Sequence, residues 1–205
     1  MKNTIIKSIL DILAPNYCLS CGRVGSILCV RCKKDKLKLE PGIINGVWFL
    51  GKRTGVLRDL IDKYKFQGER EAGELLAELM AENLPVKVSK NIVVVPLPTI
   101  DKHVRARGLD HTVLLAKHLT RYRGWRVQNL LVRANDTVQV GADERTRIKQ
   151  AERAYKINEN LKVNPETHYL LIDDILTTGS SIMSAQRVLA GAGAKKIDLA
   201  VLAKS

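Results

Sequence analysis

Aromatic residues are scarce in this sequence, at 4%. That counts against a long stacking platform for single-stranded nucleic acid, which needs successive aromatic faces. No apolar run is long enough to span a bilayer. No loop ends in the Gly-Lys-Ser/Thr of a Walker A motif, and there is no Rossmann GxGxxG: Gly191 and Gly193 come after a helical segment, with no third glycine following. No internal repeat is evident. Acidic residues are in deficit, 21 against 34 Lys and Arg, which leaves a net charge of +13. A balance this basic suggests phosphate-rich partners: nucleic acid, nucleotides or an anionic surface. A solvated basic surface is the competing reading.

What remains is ordinary for a globular protein. Hydrophobic residues make up 45% and charged residues 27% of 205 residues, which suits one α/β domain with a small appendage. Near the start, Ile5, Ile6, Ile9, Ile12 and Leu13 fall on one side of an expected short amphipathic helix. Lys7 and Asp11 interrupt the apolar run and no small-residue cleavage site follows, so a signal peptide is not expected. A cytoplasmic location is expected.

All four cysteines lie close together, as Cys18, Cys21, Cys29 and Cys32, in the spacing C-x2-C-x7-C-x2-C. Each CxxC pair can form a tight knuckle that offers two thiolates to one metal, and four thiolates suit a closed structural Zn²⁺ site. Two disulfides are the alternative. A fully occupied tetrahedral shell leaves no open position, so zinc here is expected to hold a segment too small for its own core rather than to catalyse.

The most informative stretch runs from Tyr169 to Ser181. Tyr169 to Ile172 is a short apolar run, read as a buried strand. Asp173 and Asp174 follow at its end, then Thr177, Thr178, Gly179, Ser180 and Ser181, then an apolar-periodic helix through Ile182, Ala185, Val188 and Leu189. A turn leading into a helix N-terminus is an anion site, because its backbone N–H groups are unpaired and the helix dipole is positive there. The hydroxyls add donors for a phosphate, and Gly179 lets the backbone come close. Successive residues of a strand face opposite sides, so the two acids should point apart. Carboxylates beside a phosphate site need another partner. The vicinal hydroxyls of a ribose meet that need, and so does a Mg²⁺ held through water. The competing reading is an Asp-Asp turn that merely caps a helix.

Around this stretch, helices are expected over about 54–66 and 72–84, 110–122 and 180–190. Strands are expected over 43–50, 91–95, 125–132, 170–173 and 197–203. The basic segment with Lys102, Arg105 and Arg107 follows the Pro96-Leu97-Pro98-Thr99 loop. Residues 137–153 read as a mobile loop that becomes helical. Alternating strands and helices predict an α/β fold with a mostly parallel sheet covered on both faces. Ligands then bind at the carboxyl ends of the strands.

Ile172-Asp173-Asp174-Ile175-Leu176-Thr177-Thr178-Gly179-Ser180 resembles the phosphoribosyl-pyrophosphate (PRPP) signature of type I phosphoribosyltransferases. Together with the cysteine knuckle, Val94 to Pro98, Arg105 to His111, Gln139 to Gly141, Arg147 to Tyr155 and Gly193 to Ala203, it makes nearly the whole chain similar to the ComF family. Gln150 and Arg153 depart from the family's usual residues. The resemblance implies a type I phosphoribosyltransferase fold with an N-terminal helix and zinc knuckle (1–42), a hood (about 43–84) and a core (about 90–205). It implies that Asp173 and Asp174 hold the ribose hydroxyls and favour an oxocarbenium-like transition state. Thr177, Thr178, Gly179, Ser180 and Ser181 would grip the 5-phosphate, Ile172 would also border PRPP, and the turn from Thr99 to Lys102 would cradle the pyrophosphate. Lys102, Arg105 and Arg107 would give countercharge, with Arg145 and Arg147 closing over it. Mg²⁺ would accompany PRPP. Some ComF proteins act in natural competence. Two further roles follow from that: a DNA-uptake factor that binds single-stranded DNA with little turnover, and an adaptor whose knuckle docks a competence helicase. The acceptor of the phosphoribosyl group is not legible.

Overall fold

A computed structural model describes residues 16–85, 92–99, 110–134 and 154–205. The expected N-terminal amphipathic helix lies outside the described residues, as do Lys102, Arg105, Arg107 and the whole 137–153 segment with Arg145 and Arg147. Apolar alternation organises the rest. In β7 (His168–Leu176), Leu170 and Ile172 enter one core while Tyr169 and Leu171 enter another. β3 (Ile92–Pro96) divides the same way, with Ile92 and Val94 opposite Val93 and Val95. Strands buried on both faces read as continuous apolar runs, which is why these two carry almost no polar residue before Asp173.

Six strands form the main sheet in the order β1-β2-β8-β7-β3-β4. All neighbours are parallel except β1 (Gly42–Ile44) with β2 (Val47–Lys52). The single strand expected over 43–50 is therefore a hairpin. Its two-residue turn, Asn45-Gly46, has φ of 51° and 77°, the left-handed conformations that favour Asn-Gly in a tight hairpin. β2 lies beside β8 (Lys196–Lys204), so the stretch expected as a hood contributes a strand to the main sheet. The strand expected over 125–132 is also two pieces. β4 (Arg126–Val127) stays with β3, while β5 (Leu131–Arg133) leaves to pair with β6 (Tyr155–Ile157).

One face of the sheet is covered by α2 (Gly55–Gln67), α3 (Arg70–Asn83) and α4 (His111–Arg123). The other is covered by α5 (Ser180–Gly191) and the β5–β6 ribbon. After β3 the chain moves outward through α4 to β4; after β7 it moves the opposite way through α5 to β8. Strand order reverses between β3 and β7, and a crevice opens at their carboxyl ends where such sheets take ligands.

The cysteine segment packs onto this body. Cys18, Ile27, Leu28 and Cys32 belong to the same core as α3. Lys33, in α1 (Val30–Lys36), pairs with Glu78 of α3 at 2.7 Å, and the Asn16 amide donates to Glu71. Among the described residues no helix is long and apolar enough to cross a membrane.

Helices α2 and α3 approach through Gly73. A Cβ there would lie 2.4 Å from the Tyr64 ring. That ring is buried, and its hydroxyl donates to the His111 carbonyl at 2.6 Å, which ties α2 to the start of α4. Gly73→Ala should therefore destabilise the protein by roughly 1–3 kcal/mol, because overpacking outweighs alanine's better helix propensity. Urea unfolding checks this; an unchanged or raised midpoint would mean that the contact is not tight.

Candidate functional site

β7 runs through both acids to Leu176, so Asp173 and Asp174 face opposite sides of the sheet. Asp174 follows the parity of Leu170 and Ile172 and points toward α2, where Lys65 Nζ meets its carboxylate at 2.5 Å. Asp173 follows Tyr169 and Leu171 toward α5 and the β5–β6 ribbon. Its Oδ1 accepts the Asp174 N–H at 2.8 Å. Burial, and next the charge of Asp174, push the Asp173 carboxyl up to about 7; the Asp174 amide and Lys65 pull the other way. An acid that changes charge near neutrality at the mouth of a crevice marks a candidate functional site.

Both acids line a cleft of about 230 Å³. Its floor also holds Leu97, Pro98 and Thr99 from the end of β3, Lys65 from α2, His111 and Thr112 from α4, and Arg133, Tyr155 and Ser181 from the opposite face. Thr99 donates to Asp110 Oδ1 at 3.2 Å, and the same oxygen caps α4 by accepting the Val113 N–H at 3.2 Å. One carboxylate thus fixes both the loop after β3 and the start of the next helix. Arg133 lies over the Tyr155 ring at 5.3 Å, and its Nε is buried without a hydrogen-bond partner.

A smaller hollow of about 40 Å³ adjoins the cleft and shares Asp173 and Ser181 with it. Thr177, Thr178 and Gly179 line it. Gly179 is the N-cap of α5, at φ 79°, and no side chain caps the helix. The Ser180 N–H donates at 3.4 Å to the Thr178 hydroxyl; the cap residue itself brings no side-chain acceptor to the N–H groups that follow, the condition under which a helix start takes an anion. Thr178 and Ser180 hydroxyls lie 2.9 Å apart across the turn. The arrangement is chemically able to take a phosphate at the turn, with a diol or a metal-bound water at the acids.

The sequence-predicted residues separate accordingly. Thr99, Asp173, Asp174 and Ser181 share the cleft, and Thr177, Thr178 and Gly179 share the adjoining hollow. The Ile172 side chain is fully buried in the core instead, while its carbonyl accepts the Leu97 N–H at 2.9 Å and ties the residue after β3 to β7. Sequence reasoning missed Lys65, Arg133 and Asp110. Lys65 stands in the Tyr64-Lys65-Phe66 segment, whose aromatics drew attention as core. Arg133 ends a strand without any motif of its own.

The cysteine sulfurs all lie within 4.8 Å of one another, and no disulfide joins them. Cys21 and Cys29 sulfurs are 3.8 Å apart, which matches the edge of about 3.8 Å that a tetrahedron with Zn–S bonds of about 2.3 Å would have. Burial raises the Cys18 thiol, but N–H donors from Cys29, Ser20 and Cys21 outweigh it and hold it near about 6. The Ser20 hydroxyl lowers Cys32, yet burial and the three neighbouring thiols push it up to about 11. Four thiols crowded this closely cannot all ionise alone. The donor set fits a metal that accepts four thiolates.

No protein-family model matches the chain. It is 25% identical over 200 residues to Competence protein F of Haemophilus influenzae, covering 90% of this chain and 84% of that protein. It is 24% identical over 186 residues to Competence protein ComFC of Streptococcus pneumoniae, covering 85% and 80%. Among solved structures, adenine phosphoribosyltransferase from Leishmania tarentolae aligns over 80% of each chain, at a TM-score of 0.48 and 14% identity. Glutamine PRPP amidotransferase from B. subtilis aligns over 69% of this chain and 30% of its own, at 0.47 and 12%. Those scores lie below 0.5, so the site's chemistry is read from this chain's own geometry. The two sequence matches span most of the chain, so along most of its length the chain is similar to these two competence proteins.

Proposed function

We propose that the chain binds Mg–PRPP in the cleft between β3 and β7 and transfers its phosphoribosyl group to a base. The observation that carries this is the joint placement of Asp173 and Asp174 beside the uncapped start of α5. The 5-phosphate sits in the turn from Thr177 to Ser181, against the amide hydrogens of α5 and the hydroxyls. The ribose diol donates to the acid pair. Thr99, held by Asp110, lies on the pyrophosphate side, with Lys102, Arg105, Arg107 and Arg147 as its countercharges. As pyrophosphate leaves, positive charge builds on the ribose and the adjacent carboxylates stabilise it. Mg²⁺ would accompany PRPP as part of the substrate complex and would supply charge neutralisation at the pyrophosphate. The four cysteines hold a structural Zn²⁺ that keeps α1 and the cysteine segment before it folded against α3.

A second reading has its own support: both named relatives are competence proteins, and the chain carries +13. In it the site binds PRPP or a nucleotide with little turnover, and the basic surface tracks a single-stranded DNA backbone. The knuckle is then a docking point for a competence helicase. Pyrophosphate release with PRPP and a panel of bases favours transfer. Its absence, with DNA affinity falling steeply as salt rises, favours the second reading.

Calorimetry of Mg–PRPP binding tests the site itself. Asp173→Asn combined with Asp174→Asn should weaken binding at least tenfold, since each removes a charge-assisted acceptor; unchanged affinity would mean that PRPP binds elsewhere.

The raised pKa of Asp173 makes a separate prediction without ligand. The folded state holds this proton up to about 7, whereas an unfolded Asp releases it near about 3.9. The stabilisation is therefore complete below about pH 4 and is lost as pH rises through about 7. Asp173→Asn should melt higher than the wild type at pH 8, with the gap closing toward pH 4. A gap independent of pH would contradict the shift.

Removing zinc with a chelator should lower the melting temperature of the whole chain in one transition, because the cysteine segment shares its core with α3. Metal analysis giving no zinc, or chelation that leaves the melting curve unmoved, would overturn the structural-zinc assignment.

A further inference from the structure

Two adjacent acids at a phosphate-binding crevice need a compensating cation, and the described residues supply one from outside the motif. Lys65 emerges from the last turn of α2 and places its ammonium 2.5 Å from Asp174 Oδ2, with both side chains about four-fifths buried. Its position is fixed by its neighbour. Tyr64 is buried between α2 and α3, bonds the His111 carbonyl, and is wedged against Gly73. With Tyr64 turned inward, the next residue of the helix emerges on the cleft side, where Lys65 joins the lining. Asp173 has a different set of partners: the Asp174 amide at 2.8 Å and the side of the crevice facing Ser181.

We propose that Lys65 is a positioning residue for recognition of the ribose diol. By pairing with one oxygen of Asp174, it holds that carboxylate in a single orientation. The other oxygen stays free to accept from a ribose hydroxyl, while Asp173 accepts from the neighbouring one. Without Lys65, Asp174 keeps its place in the strand but loses the partner that aims it. The Asp174 carboxylate then turns toward water, and the diol loses one of its acceptors. Lys65 thus acts through Asp174, and its effect is confined to ligands that carry both hydroxyls. The inference rests on the ribose-binding reading of the site given above.

The test measures binding of ribose 5-phosphate, 2-deoxyribose 5-phosphate and inorganic pyrophosphate to the full chain by calorimetry. The proteins compared are the wild type, Lys65→Met and Lys65→Arg, each checked for an unchanged melting temperature. The wild type should prefer ribose 5-phosphate over its deoxy analogue roughly tenfold or more, the scale of one hydrogen bond to a charged acceptor. Lys65→Met should abolish most of that preference and leave pyrophosphate affinity within about twofold, while Lys65→Arg restores part of it because the charge is kept. Should Lys65→Met weaken all three ligands alike, the lysine touches phosphate directly or supports the fold, and the inference fails. It fails equally if the preference survives in Lys65→Met. A wild type that binds none of the sugar phosphates overturns the site reading itself, and the role of Lys65 with it.

Discussion

Two ionisable side chains placed side by side at the end of an apolar strand are the constraint around which this molecule is built. A carboxylate leaving water loses favourable solvation, and a second one beside it adds repulsion. The protein meets the two costs differently on the two faces of the sheet. On the α2 side, a lysine ammonium sits on Asp174. On the α5 side, Asp173 keeps its proton to about 7 and leans on one backbone amide. Such an arrangement does not serve stability, and an asparagine pair would fold more easily. Its position at the reversal point of the sheet is what makes a functional reading the economical one.

The rest of the architecture serves to hold that point open. α4 and α5 leave in opposite directions from β3 and β7, so among the described residues no helix crosses the gap between them. On the β3 side, Asp110 joins the loop to the start of α4 by accepting from the Thr99 hydroxyl and from the Val113 N–H. The Ile172 carbonyl takes the Leu97 amide from the other strand. The Tyr64–Gly73 contact fixes which side of α2 packs on α3, and so the side from which Lys65 reaches. Even the cysteine segment contributes, because it is packed on α3 through Ile27 and Leu28 rather than hanging from the chain.

How far this was legible in the sequence depended on the range of the interaction. The β7–turn–α5 unit is local: its period changes from two to 3.6 within a few residues, and a glycine marks the change. The parity of the two acids followed from strand geometry alone. The β1–β2 hairpin was equally local, and Asn45-Gly46 announced it, but Ile43 to Leu50 looked like one apolar run. The β5–β6 ribbon is not local, because some twenty residues separate its strands and nothing in either names its partner. Lys65 and Asp174 meet only through the packing of three helices on a sheet, so no spacing could reveal their contact. Four cysteines in two CxxC pairs, in contrast, are a local pattern with one common chemical meaning, and their sulfurs do converge.

The account comes down to where a ribose 5-phosphate sits. A crystal of the full chain soaked with Mg–PRPP tests it most directly. The phosphate should lie against the amide hydrogens at Gly179 to Ser181, with the two ribose hydroxyls turned to Asp173 and Asp174. Density for the ligand anywhere else, or a soaked crystal whose cleft holds only water, would contradict it.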